Sequence, residues 1–301
     1  MRKLSNPNAA PCAVKLFEKL DEVFGKKILL AQQEFPGRGR YDQEMDYILK
    51  VTGKLPAIRG LDFMHDDYAG TVERSVEWHR RGGIVSICWH TGLVGKGYRE
   101  CLDEKPDFDM LLTPGTDEYK LLMSRMSDAA DALEILARQG IPVLWRPFHE
   151  FNGGWFWWGK AGGEQFIRLW RLMYDYYTRE RGLNNLIWVL GFSGSIDADW
   201  YPGDEYCDIV GSDTYDGVTT NAAAFGLLKQ LCPGKLLAFH ECGTMPVPDA
   251  FEQDEAMWLW MMPWHGEWLL EKNSPENLIA VYGDERTLTL EDTAGWRNII
   301  S

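Results

Sequence analysis

Nowhere in the 301 residues is there a run of roughly 20 apolar side chains, the length a membrane-spanning helix requires. Positive charge is also in short supply. Lys and Arg number 31 against 45 Asp and Glu, for a net charge of −14. A chain this acidic repels phosphate backbones and anionic lipid, which argues against nucleic-acid and membrane partners. The six cysteines (Cys12, Cys88, Cys101, Cys207, Cys232, Cys242) form no CxxC pair. Cys88 and Cys242 lie in apolar runs and read as buried reduced thiols, which leaves the redox compartment open. No Ser-, Pro- or Gly-rich linker divides the chain, so 1–301 reads as a single domain, and no apolar stretch follows Met1–Pro11 as a secretory signal requires. Neither GxGxxG nor GxxxxGK[ST] follows an early strand, since Gly92-Leu-Val-Gly95-Lys-Gly97 fits neither spacing. HExxH is missing as well, and Gly191-Phe-Ser193-Gly-Ser195 is not a GxSxG elbow.

What the chain has in quantity is aromatic surface, with 14 Trp, 12 Tyr and 13 Phe. Flat rings with a polar edge suit a core and suit the faces of sugars. Apolar, strand-like runs recur at Lys27–Glu34, Pro56–Met64, Gly83–His90, Pro142–Glu150, Leu186–Ser193, Asp208–Asp216, Leu236–Gly243 and Ala256–Pro263. Near-continuous apolar character marks parallel strands buried on both faces. Amphipathic segments alternate with them at Tyr41–Val51, Thr71–Arg81, Asp117–Gln139, Glu164–Arg181, Ala222–Leu231 and Pro275–Tyr282, and an extra helix over Cys12–Phe24 is placed to cover the bottom of a barrel. Eight strands alternating with helices predict an α/β fold, a (β/α)8 TIM barrel, with an open doubly wound sheet as the alternative.

In such a barrel the chemistry belongs at the C-terminal ends of the strands. The fourth run ends in Trp145-Arg-Pro-Phe-His-Glu150 and the seventh in Ala238-Phe-His-Glu241. Strands four and seven face one another across the mouth, so two carboxyl groups converge over an aromatic-rich cleft. Glycosidic bond cleavage uses such a pair, one a protonated acid and the other an ionised nucleophile or base. His149-Glu150 and His240-Glu241 could also hold a metal, but neighbours on a regular strand point to opposite faces, which disfavours this. Asp62 and His65 close the second run, His90 the third, and Asp213 and Tyr215 the sixth. A Tyr215 phenol or the Arg146 charge beside a carboxylate would keep it ionised. Trp145, Trp188, Trp258 and Trp260 fall within strands and read as core, whereas Trp155, Trp157, Trp158 and Trp264 fall beyond strand ends, where binding is expected. The long Thr91–Thr116 connection is placed to wall one end of the cleft.

The run Arg146-Pro-Phe-His-Glu150-x-Asn152-Gly-x-Trp155-Phe-Trp-Trp158-Gly159 resembles the signature of glycoside hydrolase family 26, most of whose members are endo-β-1,4-mannanases. The resemblance continues through Gln32-Gln33, Gly60-x-Asp62-Phe-Met, Trp89-His90, Tyr201-Pro-Gly-Asp, Val210-Gly-x-Asp213-x-Tyr215 and Glu241-x-Gly243. His65 and Cys242 depart from it. It implies a retaining enzyme that cleaves internal bonds of mannan, glucomannan or galactomannan, with Glu150 as acid/base and Glu241 as nucleophile. His149, Trp155 and Tyr215 would line the cleavage subsite above a Trp264 platform, with His90, Trp158, Asp213, Asp62 and Arg146 as further substrate-binding residues. No cofactor or metal is needed. The expected partner is a β-mannan chain, the expected state a monomer, and the expected location secreted or periplasmic with the signal peptide absent from this chain, cytoplasm being the alternative. Mixed-linkage β-1,3-1,4-glucan and β-1,3-xylan remain open as substrates. A non-catalytic sugar-binding barrel and a metal-dependent hydrolase or isomerase remain the readings from other classes.

Overall fold

The computed structural model describes residues 2–300 apart from 38, 94 and 95, so Val94 and Gly95 of the glycine-containing run after the third strand lie outside the described residues. Eight parallel strands close into a barrel: β1 Ile28–Gln33, β2 Ile58–Asp62, β3 Ile84–Trp89, β4 Val143–Pro147, β5 Leu186–Ser193, β6 Ile209–Val218, β7 Leu236–Thr244 and β8 Trp260–Pro263. Each pairs with the next, and β1 pairs with both β2 and β8 to complete the ring. A short β9, Thr287–Leu288, adds to β1 outside the ring, which the sequence pattern did not announce.

Around the ring stand α2 (Gln43–Thr52), α3 (Tyr68–Arg80), α4 (Phe108–Leu111), α5 (Asp117–Arg138), α6 (Gly163–Asp175), α7 (Ala222–Leu231), α8 (Pro248–Gln253), α9 (Glu267–Leu270) and α10 (Pro275–Gly283), preceded by α1 (Pro11–Val23). Among the described residues no helix is long and apolar enough to cross a membrane. The Thr91–Thr116 connection carries a 3-10 turn, Tyr98–Cys101, and α4.

Strand residues alternate between two apolar layers, one inside the ring and one beneath the helices. The inner layer at the bottom contains Leu29, Ala31, Ile58, Ile84, Leu144, Ile187, Ile209 and Leu236, sealed from below by Ala13, Leu16, Phe17 and Leu20 of α1. Fully buried Leu and Phe side chains of this kind contribute about 1.5–3 kcal/mol each, so α1 is a lid on the core, as its position before the first strand suggested. All six cysteines are buried and free.

Two expectations need correction. The eighth strand begins only at Trp260, so Trp258 lies before it, although its ring is core as expected and its indole N–H donates to the Thr220 carbonyl. The fourth strand stops at Pro147, three residues short of the expected Glu150.

Candidate active site

Glu150 and His149 sit where β4 has ended. Phe148 and Glu150 take φ of 50° and 51°, a left-handed conformation that side chains bearing a Cβ rarely adopt and that marks local strain. This double turn breaks strand alternation, so His149 faces the same cleft as Glu150. The turn is held from β5: the Glu150 N–H donates to the Gly191 carbonyl at 2.8 Å, and the Asn152 amide bonds Ser193 and Ser195. The Glu150 carboxyl accepts one hydrogen bond, from the Trp155 indole N–H at 2.9 Å. Burial, reinforced by the negative charges of Asp213 and Glu241, pushes its pKa up to about 9.

On β7 the device is a bulge. Ser212 of β6 pairs with Phe239 and Asp213 pairs with Glu241, leaving His240 as an extra residue. Alternation turns His240 inward and the bulge turns Glu241 inward as well. Room for the imidazole comes from Gly191 and Gly211, where an added Cβ would stand 2.7 Å and 2.6 Å from His240 atoms. His240 and Glu241 therefore both face the interior of the ring, although regular alternation would send them to opposite faces.

Glu241 is held at both oxygens. Arg146 donates to Oε1 at 2.9 Å and the Tyr215 hydroxyl donates to Oε2 at 2.9 Å. Burial and the Asp213 carboxyl nonetheless raise its pKa above the ordinary carboxylate range, against the lowering expected from Tyr215, while Arg146 opposes the rise. The guanidinium also donates to Gln33 Oε1 and stands 3.0 Å from His240 Nε2. Arginine only donates, so Nε2 accepts and the ring proton lies on Nδ1, directed at Asp213 Oδ1 2.7 Å away. Burial and the Arg146 charge bring His240 down to about 3, so the ring is neutral. Asp213, His240 and Glu241 lie close enough together to hold a cation, but the guanidinium already supplies positive charge at both His240 and Glu241.

His90 and His149 form the floor between the carboxyls and the aromatic wall, their rings edge to face at 4.6 Å. Asp62 accepts from His90 Nδ1 at 2.6 Å, and its other oxygen accepts the backbone N–H groups of His90 and Met64. Burial alone would raise Asp62, but the His90 charge and these hydrogen bonds hold it below its ordinary value. His149 Nε2 stands 3.8 Å from Glu241 Oε1, and burial holds the imidazole well below the ordinary histidine value. The Trp264 ring lies 5.8 Å from His90 and 6.5 Å from His149.

The expected binding residues thus separate into two layers. Trp155, 43% exposed, and the partly exposed Tyr215 and Trp264 border the cleft, together with His90 and His149. Trp158 is fully buried, its indole donating to the His149 carbonyl, and Trp157 is buried with its indole on the Thr91 carbonyl. Placed beyond a strand end, both nevertheless pack inward, because the loop after β4 folds back over the barrel. Asp62, Asp213 and Arg146 likewise stand behind His90, His240 and Glu241. Sequence reasoning missed Phe156, stacked on Trp158 at 4.3 Å and 5.5 Å from His149, and Trp268, 4.8 Å from the Tyr215 ring. Phe156 stood unremarked within the family-like run, and the signal for Trp268 was aromatic character just past a strand end.

Residues 5–292 match the sequence profile of Glycosyl hydrolase family 26. The chain belongs to this family. A mannan endo-1,4-β-mannosidase of Thermothelomyces thermophilus is 36% identical over 99% of the chain, which spans 64% of that relative's length. Two solved structures superpose closely. A ruminal endo-β-1,4-mannanase has a TM-score of 0.91 at 32% identity, covering 97% of this chain and 70% of its own. A β-mannanase from a symbiotic protist of the termite Reticulitermes speratus, complexed with gluco-manno-oligosaccharide, has a TM-score of 0.88 at 31% identity and 98% coverage of both chains. Within this family 26 barrel, the two glutamates of β7 and of the turn after β4 share one cleft and differ in their hydrogen-bond donors.

Proposed function

We propose that the chain is a retaining endo-β-1,4-mannanase acting on mannan, glucomannan or galactomannan, with Glu241 as nucleophile and Glu150 as acid/base. One observation carries this reading. Glu241 is held by a guanidinium and a phenol, both of which favour the carboxylate, whereas Glu150 has a single indole donor and a pKa near 9. Double displacement requires the first to donate electrons as a carboxylate while the second retains a proton, and the two donor sets differ in that sense. Glu241 attacks the anomeric carbon as Glu150 protonates the departing oxygen. Glu150, now ionised, then takes a proton from the water that hydrolyses the glycosyl-enzyme, and configuration is retained. The neutral His149, together with Trp155, Tyr215 and Trp264, borders the sugar being cleaved. His90, fixed by Asp62, offers its remaining nitrogen to a hydroxyl.

The reading extends to residues 1–301 acting as one catalytic domain, monomeric and without a cofactor, on polymers encountered outside the cytoplasm. The test is product analysis on mannan, mixed-linkage β-glucan and β-1,3-xylan in parallel, with proton NMR of the first anomer released. Short manno-oligosaccharides in the β configuration are the expected result. Equal or faster turnover of glucan overturns the substrate assignment, and an initial α anomer overturns retention.

A further inference from the structure

Glu44 is a carboxylate with no exposed surface, placed in the first turn of α2, on the outer layer of the barrel. Its two oxygens reach different loops. Oε2 accepts the backbone N–H of Phe35, just past β1, at 3.0 Å, and Oε1 accepts the backbone N–H of Gly266, past β8, at 3.0 Å. Gln43 adds a longer contact of 3.4 Å to Oε1. Among the described residues no arginine or lysine hydrogen-bonds the carboxylate, and its two short contacts are to peptide N–H groups of two different loops.

The Gly266 end leads directly to the cleft. Gly266 has φ 66° and ψ −129°, a conformation essentially confined to glycine, and it turns the chain two residues after Trp264. The rest of this loop is tethered upstream: the Trp264 N–H donates to the Cys242 carbonyl, and the Gln32 side-chain amide reaches the Pro263 and Trp264 carbonyls. Beyond Trp264 the chain meets the loop after β1 through His265, edge to face with Phe35 at 5.2 Å, and through the Gly266 N–H on Glu44, before Trp268 packs on Tyr215 of β6. The same carboxylate therefore clamps the Phe35 and Gly266 backbones on either side of the Phe35–His265 contact.

We propose that Glu44 is a positioning residue, which fixes the loop after β8 against the loop after β1 and thereby sets the angle of the Trp264 ring toward the sugar being cleaved. The inference rests on the proposed function for its kinetic consequence, but not for its structural one. A carboxylate suits the place because both partners are donors. In Glu44→Gln one oxygen becomes an NH2 that faces a backbone N–H, so one clamp opens while volume and packing are kept. Glu44→Asp keeps two acceptors on a shorter arm.

The test combines kinetics on a manno-oligosaccharide with hydrogen–deuterium exchange of the folded protein. Glu44→Gln is expected to lower kcat by about ten- to a hundredfold, as small misplacements at a reacting centre do, with KM changed far less. Glu44→Asp is expected to fall between it and wild type. In the Trp264→Ala background the same substitution should cost nothing further, because the ring it positions is gone. Amide exchange over 260–270 and 34–36 should quicken in Glu44→Gln and stay unchanged in the α1 lid. Wild-type kcat with unchanged exchange overturns the proposal, and so does a loss that adds fully to that of Trp264→Ala. If wild-type protein leaves mannan uncut, the functional reading fails and the exchange experiment still decides the role of Glu44.

Discussion

The ends of β4 and β7 bring the same side chain to the same cleft by different backbone means. At β4 the strand stops and two residues flip to positive φ, each at a cost on the order of 1–3 kcal/mol. At β7 the strand continues to Thr244 and accommodates one extra residue, with no residue from 236 to 244 at positive φ. The surroundings differ in the same sense. The bulge leaves Glu241 inside the ring, where a fully buried arginine can reach it. The flip lifts Glu150 out of the strand register onto the rim, 9% exposed, and among the described residues no arginine or lysine pairs with it. A carboxyl inside the ring hydrogen-bonds a guanidinium, and one lifted above it hydrogen-bonds an indole.

The largest effect separates the two directly. Glu241→Ala should abolish turnover on every substrate, since no nucleophile remains. Glu150→Ala should lose about 10²–10⁴-fold on polysaccharide, where the leaving group needs its proton, yet retain much of its rate on glycosides with an activated aryl leaving group. Steady-state rates on both substrate types measure the contrast. Equal losses on aryl and natural substrates by both variants would reverse or erase the assignment.

A smaller effect sharpens the electrostatic side of the comparison. Each carboxyl loses one donor in Tyr215→Phe and Trp155→Phe respectively. Both donors favour the ionised form, so each removal raises the pKa of its partner. The acid limb of the kcat/KM profile, set by ionisation of Glu241, should move to higher pH in Tyr215→Phe. The alkaline limb, set by loss of the Glu150 proton, should move to higher pH in Trp155→Phe. A shift of the opposite limb in either variant would contradict the roles.

The last effect concerns stability. Folded Glu150 keeps its proton to about pH 9, whereas an unfolded chain releases it near pH 4.3. The stability tied to that proton is fully present below the unfolded value and is lost as pH rises through the folded one. Glu150→Gln removes this loss while keeping an acceptor for the Trp155 N–H. Thermal melts should coincide near pH 4, and at pH 8 the variant should be the more stable by up to about 5 kcal/mol. An equally large gain at pH 4 would point to packing instead of titration.

The barrel was legible in the sequence because parallel strands buried on both faces leave long apolar runs, and the helix between each pair carries its own period and stops. Those signals are local, and they placed β1, β5 and β7 to within a residue or two. They failed at the end of β4, where the apolar run through Phe148 and the aromatics beyond it continue past the last ladder hydrogen bond. The convergence of Glu150 and Glu241 was legible too, since in a closed ring of eight the fourth and seventh strand ends must face each other.

What the sequence by itself determined was therefore the ring, the two carboxyls at its mouth and the aromatic character around them. Only the tertiary structure decided which of the singled-out residues border the cleft and which lie behind it. Trp158, Asp62, Asp213 and Arg146 stand at strand ends as Trp155, His90 and Tyr215 do, but they are buried against His149, His90, His240 and Glu241. A strand's two-residue period assigns a face only while the strand is regular. A bulge at His240 and left-handed turns at Phe148 and Glu150 reset that period, and nothing in the neighbouring residues alone marks where. The reset depends on contacts made across the ring, on Gly191 and Gly211 leaving space for His240 and on Arg146 reaching from β4 to β7, and such contacts exist only once the barrel has closed.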